Sequence, residues 1–225
     1  MFAADMTLAA RHRHILWDWN GTLLDDLDLC IDVVNPMLLR HGLPAVDRER
    51  YLEIFDFPIV SFYERLGFQL QGGAFSALSH EFVSTYDARR LECALQRGAA
   101  DVLRRIAASG RAQSILSAHR ESTLRGIVAH HEIDAHFTEL AGLPDAHAHS
   151  KVERGHELIA KLAQPPHSLL LVGDTLHDLE VADALGIDCI LVAHGHQSGQ
   201  RLRLRGAHVV DDFDALLTTL AAEAP

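Results

Sequence analysis

Short apolar runs alternate with amphipathic segments along most of the chain. Residues 14–18, with the sequence HILWD, form an apolar run that ends at the turn-forming pair Asn20-Gly21, which predicts a buried strand followed by a loop. Similar runs predict further strands at 113–116, 137–141, 168–172, 189–192 and 208–210. Apolar residues at helical spacing predict helices at 98–110, 120–131, 151–163, 179–185 and 213–220.

This alternation of strand and helix is typical of βαβ units with right-handed crossovers. The strands read as continuous apolar runs, which is the pattern of strands that are covered on both faces. The chain is therefore predicted to have an α/β fold, with a Rossmann-like, mostly parallel sheet at its core.

Residues 25–97 follow a different pattern, because no comparable strand-like run occurs there and the apolar positions fall at helical spacing. The pattern predicts an inserted helical unit, here called the cap, with helices at 27–39, 48–55, 59–66 and 74–90. Pro36 is expected to kink or break the first of these helices. We therefore expect a catalytic core made of residues 1–24 and 98–225, and a helical cap made of residues 25–97.

The composition limits the class of partner. A chain of 225 residues with 48% hydrophobic residues can bury a sizeable core. Its 20 Lys and Arg against 31 Asp and Glu give a formal net charge of −11, which argues against binding to a nucleic-acid backbone. A small anionic substrate is compatible with this charge if the site contains a local positive centre, such as a divalent cation.

The cysteines and the hydropathy pattern indicate in which cellular compartment the protein is expected. Cys30, Cys93 and Cys189 are widely spaced and form no C-x-x-C pair, which favours a reducing compartment over a disulfide framework or a zinc site. The chain contains no uninterrupted apolar run of about 18 residues and no recognisable signal peptide. We therefore expect a cytoplasmic protein with no membrane partner.

Polar residues that follow the predicted strands are the candidates for chemistry, because ligands of open parallel sheets bind beyond the carboxyl ends of the strands. Two carboxylates at the same sheet edge repel each other unless they are protonated or bind a metal. Oxygen ligands alone favour Mg²⁺. The candidates are Asp18, Asn20, Ser117, Asp174 and Asp178, together with Lys151 at the start of a predicted helix.

A carboxylate nucleophile can split phosphate hydrolysis into formation and breakdown of an aspartyl-phosphate. The metal ion, Lys151 and the Ser117 hydroxyl could stabilise the charge on the phosphoryl oxygens. These residue types in this order therefore indicate phosphoryl transfer.

Four segments resemble the four motifs of the haloacid dehalogenase superfamily, and they occur in the same order. The segments are DWNGTL at 18–23, Ser117, Lys151 and GDTLHD at 173–178. The long gap between the first two motifs is similar to that of members with a small helical cap, such as the phosphoglycolate phosphatases. The segment ILVAHGHQSGQ at 190–200 also resembles that branch.

The resemblance implies a magnesium-dependent phosphatase for a small phosphate monoester or acyl phosphate, with Asp18 attacking phosphorus. It implies that Asp18, the backbone carbonyl of Asn20 and Asp174 hold Mg²⁺, and that Asp178 supports the metal through water or by fixing its neighbours. Ser117 and Lys151 would bind the phosphoryl oxygens. Asp18, Asn20 and Lys151 are the candidate catalytic residues.

Asn20 departs from the family pattern, because phosphatases of this family usually carry Asp two residues after the nucleophile. That Asp protonates the leaving oxygen and later activates water, and a carboxamide can do neither. Losing such acid–base assistance costs on the order of a hundred- to ten-thousandfold in rate. His119 and His177, each within three residues of a motif position, are candidates to replace the acid. Asn20-Gly21 is also a deamidation-prone pair.

Three other functions are alternatives to a phosphatase. A phosphonoacetaldehyde hydrolase also lacks the second Asp, but it needs a Schiff-base lysine from the cap, and residues 25–97 contain no lysine. A haloacid dehalogenase is disfavoured by GDTLHD, since that reaction uses no metal. A phospho-ligand-binding or regulatory protein with little turnover is the third alternative. The sequence pattern specifies neither the physiological substrate, the cap residues that contact it, nor the oligomeric state.

Five further residues near the motifs were given structural interpretations. Asp25 and Asp26 are interpreted as turn or helix-capping residues. Trp19 either narrows the site entrance or packs in the core. His194 and His196 lie in a glycine-containing loop, and solvated loop histidines are the preferred interpretation of both.

Overall fold

The computed structural model describes residues 11–144 and 150–222. Their strands and helices are, in chain order, β1 (His14–Trp17), β2 (Leu24–Asp25), α1 (Leu27–Arg40), α2 (Arg48–Ile54), α3 (Ile59–Leu66), α4 (Ala74–Arg89), β3 (Ala94–Leu95), α5 (Ala99–Ala108), β4 (Ala112–Arg120), α6 (Glu121–His130), β5 (Glu139–Leu143), α7 (Lys151–Leu162), β6 (Leu169–Gly173), α8 (Leu176–Leu185), β7 (Asp188–Val192), α9 (Gly199–Leu204), β8 (Val209–Val210) and α10 (Phe213–Ala222).

Six strands form one parallel sheet in the order β5-β4-β1-β6-β7-β8. This confirms the predicted α/β fold, and every strand predicted for the core overlaps an observed one. β1 is central, and its Trp17 pairs with Ile115 of β4 and with Val172 of β6. The residues that follow these three strands therefore meet at one edge of the sheet.

The sheet is covered on both faces, as its continuous apolar strands predict. Ile15 and Trp17 of β1 belong to a large apolar cluster on one face, and Leu16 between them belongs to a second cluster on the other face. All three side chains are fully buried. The alternation along a strand thus anchors β1 in two separate cores, which fixes the position of the residues at its end.

Helices α1 to α4 form the inserted unit, which is helical as predicted. α1 runs from Leu27 to Arg40 through Pro36, so the predicted break at Pro36 is wrong. The side chain of Asn35 donates to Val46 O at 3.0 Å and accepts from Val46 N at 2.7 Å, which ties the end of this helix to the segment that follows it.

A two-stranded antiparallel ribbon joins the core to the helices of the cap. Leu24 pairs with Leu95 and Asp25 pairs with Ala94. Strands of two residues have no detectable periodicity, so the sequence pattern does not predict the ribbon. The ribbon lies where the chain passes from the core to α1 and where it returns to α5.

Several element ends differ from the predicted ones. α8 begins at Leu176 instead of 179, because the Asp178 carboxylate accepts hydrogen bonds from the N–H and the hydroxyl of Thr175 and caps the helix. β4 continues to Arg120 past an irregularity in its pairing with β5. α9 was not predicted. Within the described ranges, no helix has the length and apolar character needed to cross a membrane.

Candidate active site

Asp18 lies at the carboxyl end of the central strand. Its N–H donates to Val172 O at 2.8 Å, which holds it between β1 and β6. Its Oδ1 accepts a hydrogen bond from Lys151 Nζ at 2.5 Å. Asp18 is 8% exposed whereas Asp174 is completely buried, so Asp18 is the more accessible of these two carboxylates.

Lys151 is the first residue of α7 and is buried. The helix begins with a capping box, in which the Ser150 hydroxyl accepts from Glu153 N and the Glu153 carboxylate accepts from Ser150 N. Lys151 Nζ also donates to Asp178 Oδ1 at 2.6 Å. Burial alone would lower the pKa of Lys151, but attraction to Asp178 and Asp18 outweighs it and raises the pKa. Lys151 is therefore a cation held between two carboxylates.

Asp178 is fully engaged by protein donors. Its Oδ1 accepts from Lys151, and its Oδ2 accepts from Asp174 N, Thr175 N and Thr175 Oγ1 at 2.7 to 3.2 Å. These bonds hold the pKa of Asp178 below its usual value although burial opposes them. Asp178 thus caps α8 and also fixes the position of Lys151.

Asp174 is held from two sides. Its Oδ1 accepts from Thr22 Oγ1 at 2.8 Å, and its Oδ2 accepts from His196 N at 2.6 Å. The backbone approaches the carboxylate so closely that a Cβ on Gly195 would lie 2.1 Å from Asp174 Oδ2. A Cβ on Gly21, whose φ is +74°, would lie 2.4 Å from the same oxygen. Both glycines are therefore required by the packing around Asp174.

Carboxylate oxygens of Asp18, Asp174 and Asp178 all lie within 4.8 Å of one another. Burial, followed by repulsion from Asp18 and Asp178, raises the pKa of Asp174, and burial also raises the pKa of Asp18 despite the nearby Lys151. Such a cluster is stabilised by additional positive charge, and its donors are all oxygens. It is the part of the described chain that is best suited to hold a hard divalent cation.

Asp26, Cys30 and His196 form a second close group of possible metal ligands. The Asp26 carboxylate already accepts from Gly21 N at 2.9 Å and from Asn20 Nδ2 at 2.7 Å. Both ring nitrogens of His196 have protein partners as well. This group is therefore satisfied by its own hydrogen bonds and needs no metal.

His196 does not lie in solvent, so its interpretation as a solvated histidine is wrong. It is 4% exposed, its Nε2 lies 3.1 Å from Asp26 Oδ1, and its Nδ1 lies 3.2 Å from the hydroxyl of Tyr51 in α2. Burial alone would lower the pKa of His196, but the Asp26 carboxylate raises it to about 9. His194 is also covered, with its Nε2 at 3.1 Å from Thr22 O, and burial lowers its pKa.

Asn20 is held by Asp26, which is interpreted from the sequence only as a turn or helix-capping residue. Its Nδ2 donates to Asp26 Oδ2 at 2.7 Å and to the hydroxyl of Tyr86 in α4 at 2.8 Å. Two backbone bonds, Gly21 N to Leu24 O and Leu24 N to Trp19 O, bridge the loop without using the carbonyl oxygen of Asn20. Asp26, the residue before α1, therefore bonds directly to the loop of residues 18–23, here called the motif loop.

Ser117 lies buried in β4, at the same sheet edge as Asp18. Its hydroxyl accepts a hydrogen bond from His119 N at 3.1 Å. The His119 ring lies 6.1 Å from the ring of Tyr86, and its Nε2 has no hydrogen-bond partner among the described residues. Burial is the largest influence on His119 and lowers its pKa, so the ring is neutral near pH 7.

The remaining candidates lie outside the carboxylate cluster. Trp19 is fully buried and packs in the core beside His131, which favours packing over a role at the entrance. His177 stacks on Phe57 with ring centroids 4.6 Å apart and lies 3.3 Å from Glu180. Sequence reasoning also missed Thr22 and Tyr86, since hydroxyls that contact a carboxylate across the fold leave no spacing signal.

A family model described as "Haloacid dehalogenase-like hydrolase" matches residues 15–192, a span that includes all the candidate site residues. The chain therefore belongs to the haloacid dehalogenase-like hydrolases. This confirms the resemblance found in the sequence.

The individual relatives carry the names of a kinase, a nucleotidase and phosphatases. Tyrosine-protein kinase PtkA from Mycobacterium tuberculosis is 27% identical over 184 residues, which are 81% of this chain but only 62% of that protein. A 5'-nucleotidase from Pseudomonas aeruginosa is 27% identical over 221 residues, which are 94% of this chain and 97% of the relative. Phosphoglycolate phosphatases are also among the relatives.

The fold is shared with solved structures. A predicted phosphatase from Clostridium acetobutylicum superposes with a TM-score of 0.80 at 19% identity, covering 94% of this chain and 99% of that one. The chain is thus similar to phosphoglycolate phosphatases and their relatives in both sequence and fold.

Proposed function

We propose that this hydrolase is a phosphatase that cleaves a small phosphate monoester or acyl phosphate through an aspartyl-phosphate on Asp18. The observation that carries the proposal is the placement of the Asp18 carboxylate at the end of the central strand, 2.5 Å from the buried Lys151 cation. Membership in a hydrolase family supports turnover and does not favour the alternative of a phospho-ligand-binding protein.

Mg²⁺ is the cofactor that fits the carboxylate cluster. Asp18, Asp174 and the backbone carbonyl of Asn20 would hold it, while Asp178, whose oxygens already bond to protein donors, would support it by fixing Lys151. When bound, Mg²⁺ would offset the charge on the phosphoryl oxygens.

The charges of the buried groups support a divalent ion. Four acids, Asp18, Asp26, Asp174 and Asp178, are buried with two basic groups, Lys151 and His196, so ionisation of all six would leave two excess negative charges. Burial, together with repulsion between the carboxylates, raises the pKa of Asp18 and Asp174, and a bound divalent ion would favour their ionised forms.

The chain's own residues account for both chemical steps. An Asp18 oxygen bonds to phosphorus, the bond from phosphorus to the leaving oxygen breaks, and that oxygen keeps the electron pair. Water then attacks phosphorus, the bond to Asp18 breaks, and phosphate leaves while a proton passes to solvent. Lys151 stays protonated throughout and balances the negative charge beside Asp18.

Ser117 and Lys151 are proposed to bind the phosphoryl oxygens. Ser117 lies at the same sheet edge as Asp18, and its hydroxyl hydrogen stays available because the hydroxyl oxygen only accepts from His119 N. Helices between residues 25 and 97 are proposed to be the cap that limits the substrate to a small phosphorylated metabolite. Free Cys30, Cys93 and Cys189 fit the reducing cytoplasm as the place of the reaction.

Phosphate release tests this function. The native chain should release phosphate from acetyl phosphate with Mg²⁺ and lose that activity with EDTA. Asp18→Asn should lower kcat by on the order of a thousandfold or more, since the nucleophile is removed. Asp101→Asn, the same change on the exposed surface of α5, is the matched control and should keep native activity. Activity that survives EDTA or Asp18→Asn would exclude the proposed mechanism.

A further inference from the structure

The orientation of the Asn20 carboxamide is fixed by its partners. A carboxylate only accepts hydrogen bonds, so the end of the amide that faces Asp26 must be the NH₂. Its two hydrogens are both used, one on Asp26 Oδ2 at 2.7 Å and one on the hydroxyl of Tyr86 at 2.8 Å. Of the two polar atoms of the Asn20 side chain, Oδ1 has no hydrogen-bond partner among the described residues and is thus left to contact a substrate or a water.

Asp26 is itself held in place from several elements. It is 1% exposed, and its Oδ2 accepts a further hydrogen bond from the Tyr86 hydroxyl at 2.8 Å. Its Oδ1 accepts from Gly21 N at 2.9 Å and lies 3.1 Å from His196 Nε2. With donors from the motif loop, α4 and the loop after β7, the carboxylate cannot turn to release Asn20 without breaking several buried bonds.

We propose that Asp26 is a positioning residue that presents the carboxamide oxygen of Asn20 to the substrate and thereby restricts the enzyme to phosphoryl compounds with good leaving groups, namely acyl and aryl phosphates. This inference rests on the proposed function. An acceptor at this position can orient the water that breaks down the aspartyl-phosphate, but it cannot give a proton to the departing oxygen.

The restriction follows from the acidity of the leaving group. A carboxylate departs as the base of an acid with a pKa of about 4, and a phenolate as the base of one with a pKa of about 10. An alkoxide is close in basicity to hydroxide, whose conjugate acid has a pKa of about 15.7, and it needs a proton to depart at a useful rate. Alkyl phosphates therefore lose the most from the missing acid.

A leaving-group series tests the substrate class. For the native enzyme, acetyl phosphate and p-nitrophenyl phosphate should be cleaved on the order of a hundred- to ten-thousandfold faster than a simple alkyl phosphate. The exchange variant Asn20→Asp/Asp26→Asn keeps one carboxylate and one amide in contact but puts the acid at position 20. It should raise the rate of alkyl phosphate cleavage relative to that of acetyl phosphate cleavage by a similar factor, so the ratio of the two rates is the readout.

The single variant Asn20→Asp should gain less alkyl phosphate activity than the exchange variant. It would place two carboxylates, at positions 20 and 26, where Asn20 and Asp26 now lie 2.7 Å apart, and they would repel each other. Equal native rates on alkyl and aryl phosphates would overturn the inference while leaving the proposed function intact. A native enzyme that turns over no phosphate compound would instead overturn the proposed function.

The orientation of Asn20 can be measured without turnover. The chain contains two asparagines, Asn20 and Asn35, so ¹⁵N-asparagine labelling gives two side-chain amide signals. Both Asn20 amide protons should be protected from solvent exchange in the native protein. Tyr86→Phe should expose one of them, and Asp26→Ala should expose both, while the Asn35 signal beside Val46 stays unchanged.

Tyr63→Phe, which removes a hydroxyl from another buried tyrosine of the cap, is the matched control and should not alter either signal. Should the native Asn20 amide exchange as rapidly as an exposed asparagine, or should Tyr86→Phe leave it unchanged, the inference is wrong whatever the activity results are.

Discussion

Asn20 precedes Gly21, a pair that deamidates readily in flexible peptides because the glycine nitrogen attacks the side-chain carbonyl. The folded chain opposes that attack. Gly21 N donates to Leu24 O at 3.0 Å and to Asp26 Oδ1 at 2.9 Å, while the amide nitrogen of Asn20 is held by Asp26 and Tyr86. The fold therefore favours retention of the encoded asparagine at position 20.

Intact-mass measurements during incubation test this protection. Native protein should keep Asn20, whereas Asp26→Ala should deamidate about tenfold faster, which corresponds to the loss of about 1.4 kcal/mol from a buried hydrogen bond. The urea-unfolded chain supplies the unprotected reference. Equal deamidation rates in folded and unfolded protein would show that the Asp26 contact does not restrain Asn20.

At the scale of single residues, the sequence predicted the side chains that follow strand ends. It did not predict the contacts that distant loops make with them. Asp18 and Asp174 could be foreseen because the strand ends of a parallel sheet share one edge. Lys151, the first residue of α7, could be foreseen only from the order of the resembled motifs. Asp26 and His196 could not, since their 3.1 Å contact depends on the loop after β7 folding back over the motif loop. No spacing rule relates residues 170 positions apart.

Among the elements, α7 has a direct link between its capping and the chemistry. Ser150 and Glu153 fix the first turn, and the next residue after Ser150 is Lys151. Ser150→Ala removes the N-cap hydrogen bond of α7 and should lower the free energy of unfolding by about 1 kcal/mol. It should also reduce kcat, because the first turn of α7, which begins at Lys151, is held less firmly.

The matched control is Asp47→Ala. It removes the side-chain hydrogen bond at the N-terminus of α2, a helix of the inserted unit. It should cost similar stability in urea denaturation with little change in kcat. If Ser150→Ala and Asp47→Ala have the same effect on kcat, the N-cap hydrogen bond of α7 has no special connection to the site.

The central strand β1 also contains a titratable group. His14 is buried, its Nε2 lies 2.9 Å from Ser114 Oγ in β4, and burial lowers its pKa to about 4 from 6.5. Between these two values the unfolded chain binds a proton that the folded chain excludes. The free energy of unfolding should therefore fall as pH drops from about 6.5 to about 4.

Urea titrations across that pH range measure the effect. His14→Gln, which does not titrate, should flatten the dependence of stability on pH, although its stability at neutral pH will be lower than native. His80→Gln, on the exposed surface of α4, should keep the native slope. An unchanged slope in His14→Gln would show that other groups dominate the acid response.

For the whole molecule, the apolar pattern was sufficient for the class of fold but not for its arrangement. The strands of the core were found because each is a continuous apolar run. Their order, with β1 between β4 and β6, depends on tertiary pairing that periodicity does not encode. The ribbon of β2 and β3 is too short to have a pattern, and α1 continues through the exposed Pro36 although helix propensity disfavours proline there.

The contacts between α9 and the segment after α2 link the core to the cap. The Arg201 guanidinium donates to Phe55 O and to Glu53 O, and it pairs with Asp56 at 2.8 Å. Gln197 Nε2 donates to the same Phe55 carbonyl at 3.1 Å. These contacts hold residues 53–56 of the cap against α9 and the loop before it in the core.

Loosening this contact should therefore free the segment after α2 while leaving Asp18 and Lys151 in place. Arg201→Ala should increase amide hydrogen exchange in residues 48–57 and raise KM for a small substrate severalfold, with a smaller change in kcat, because a smaller fraction of molecules keeps this segment docked on the core. Arg203→Ala, on the same helix but paired with exposed Asp211, should leave both unchanged. If Arg201→Ala alters exchange no more than Arg203→Ala does, the cap is held by its apolar contacts instead.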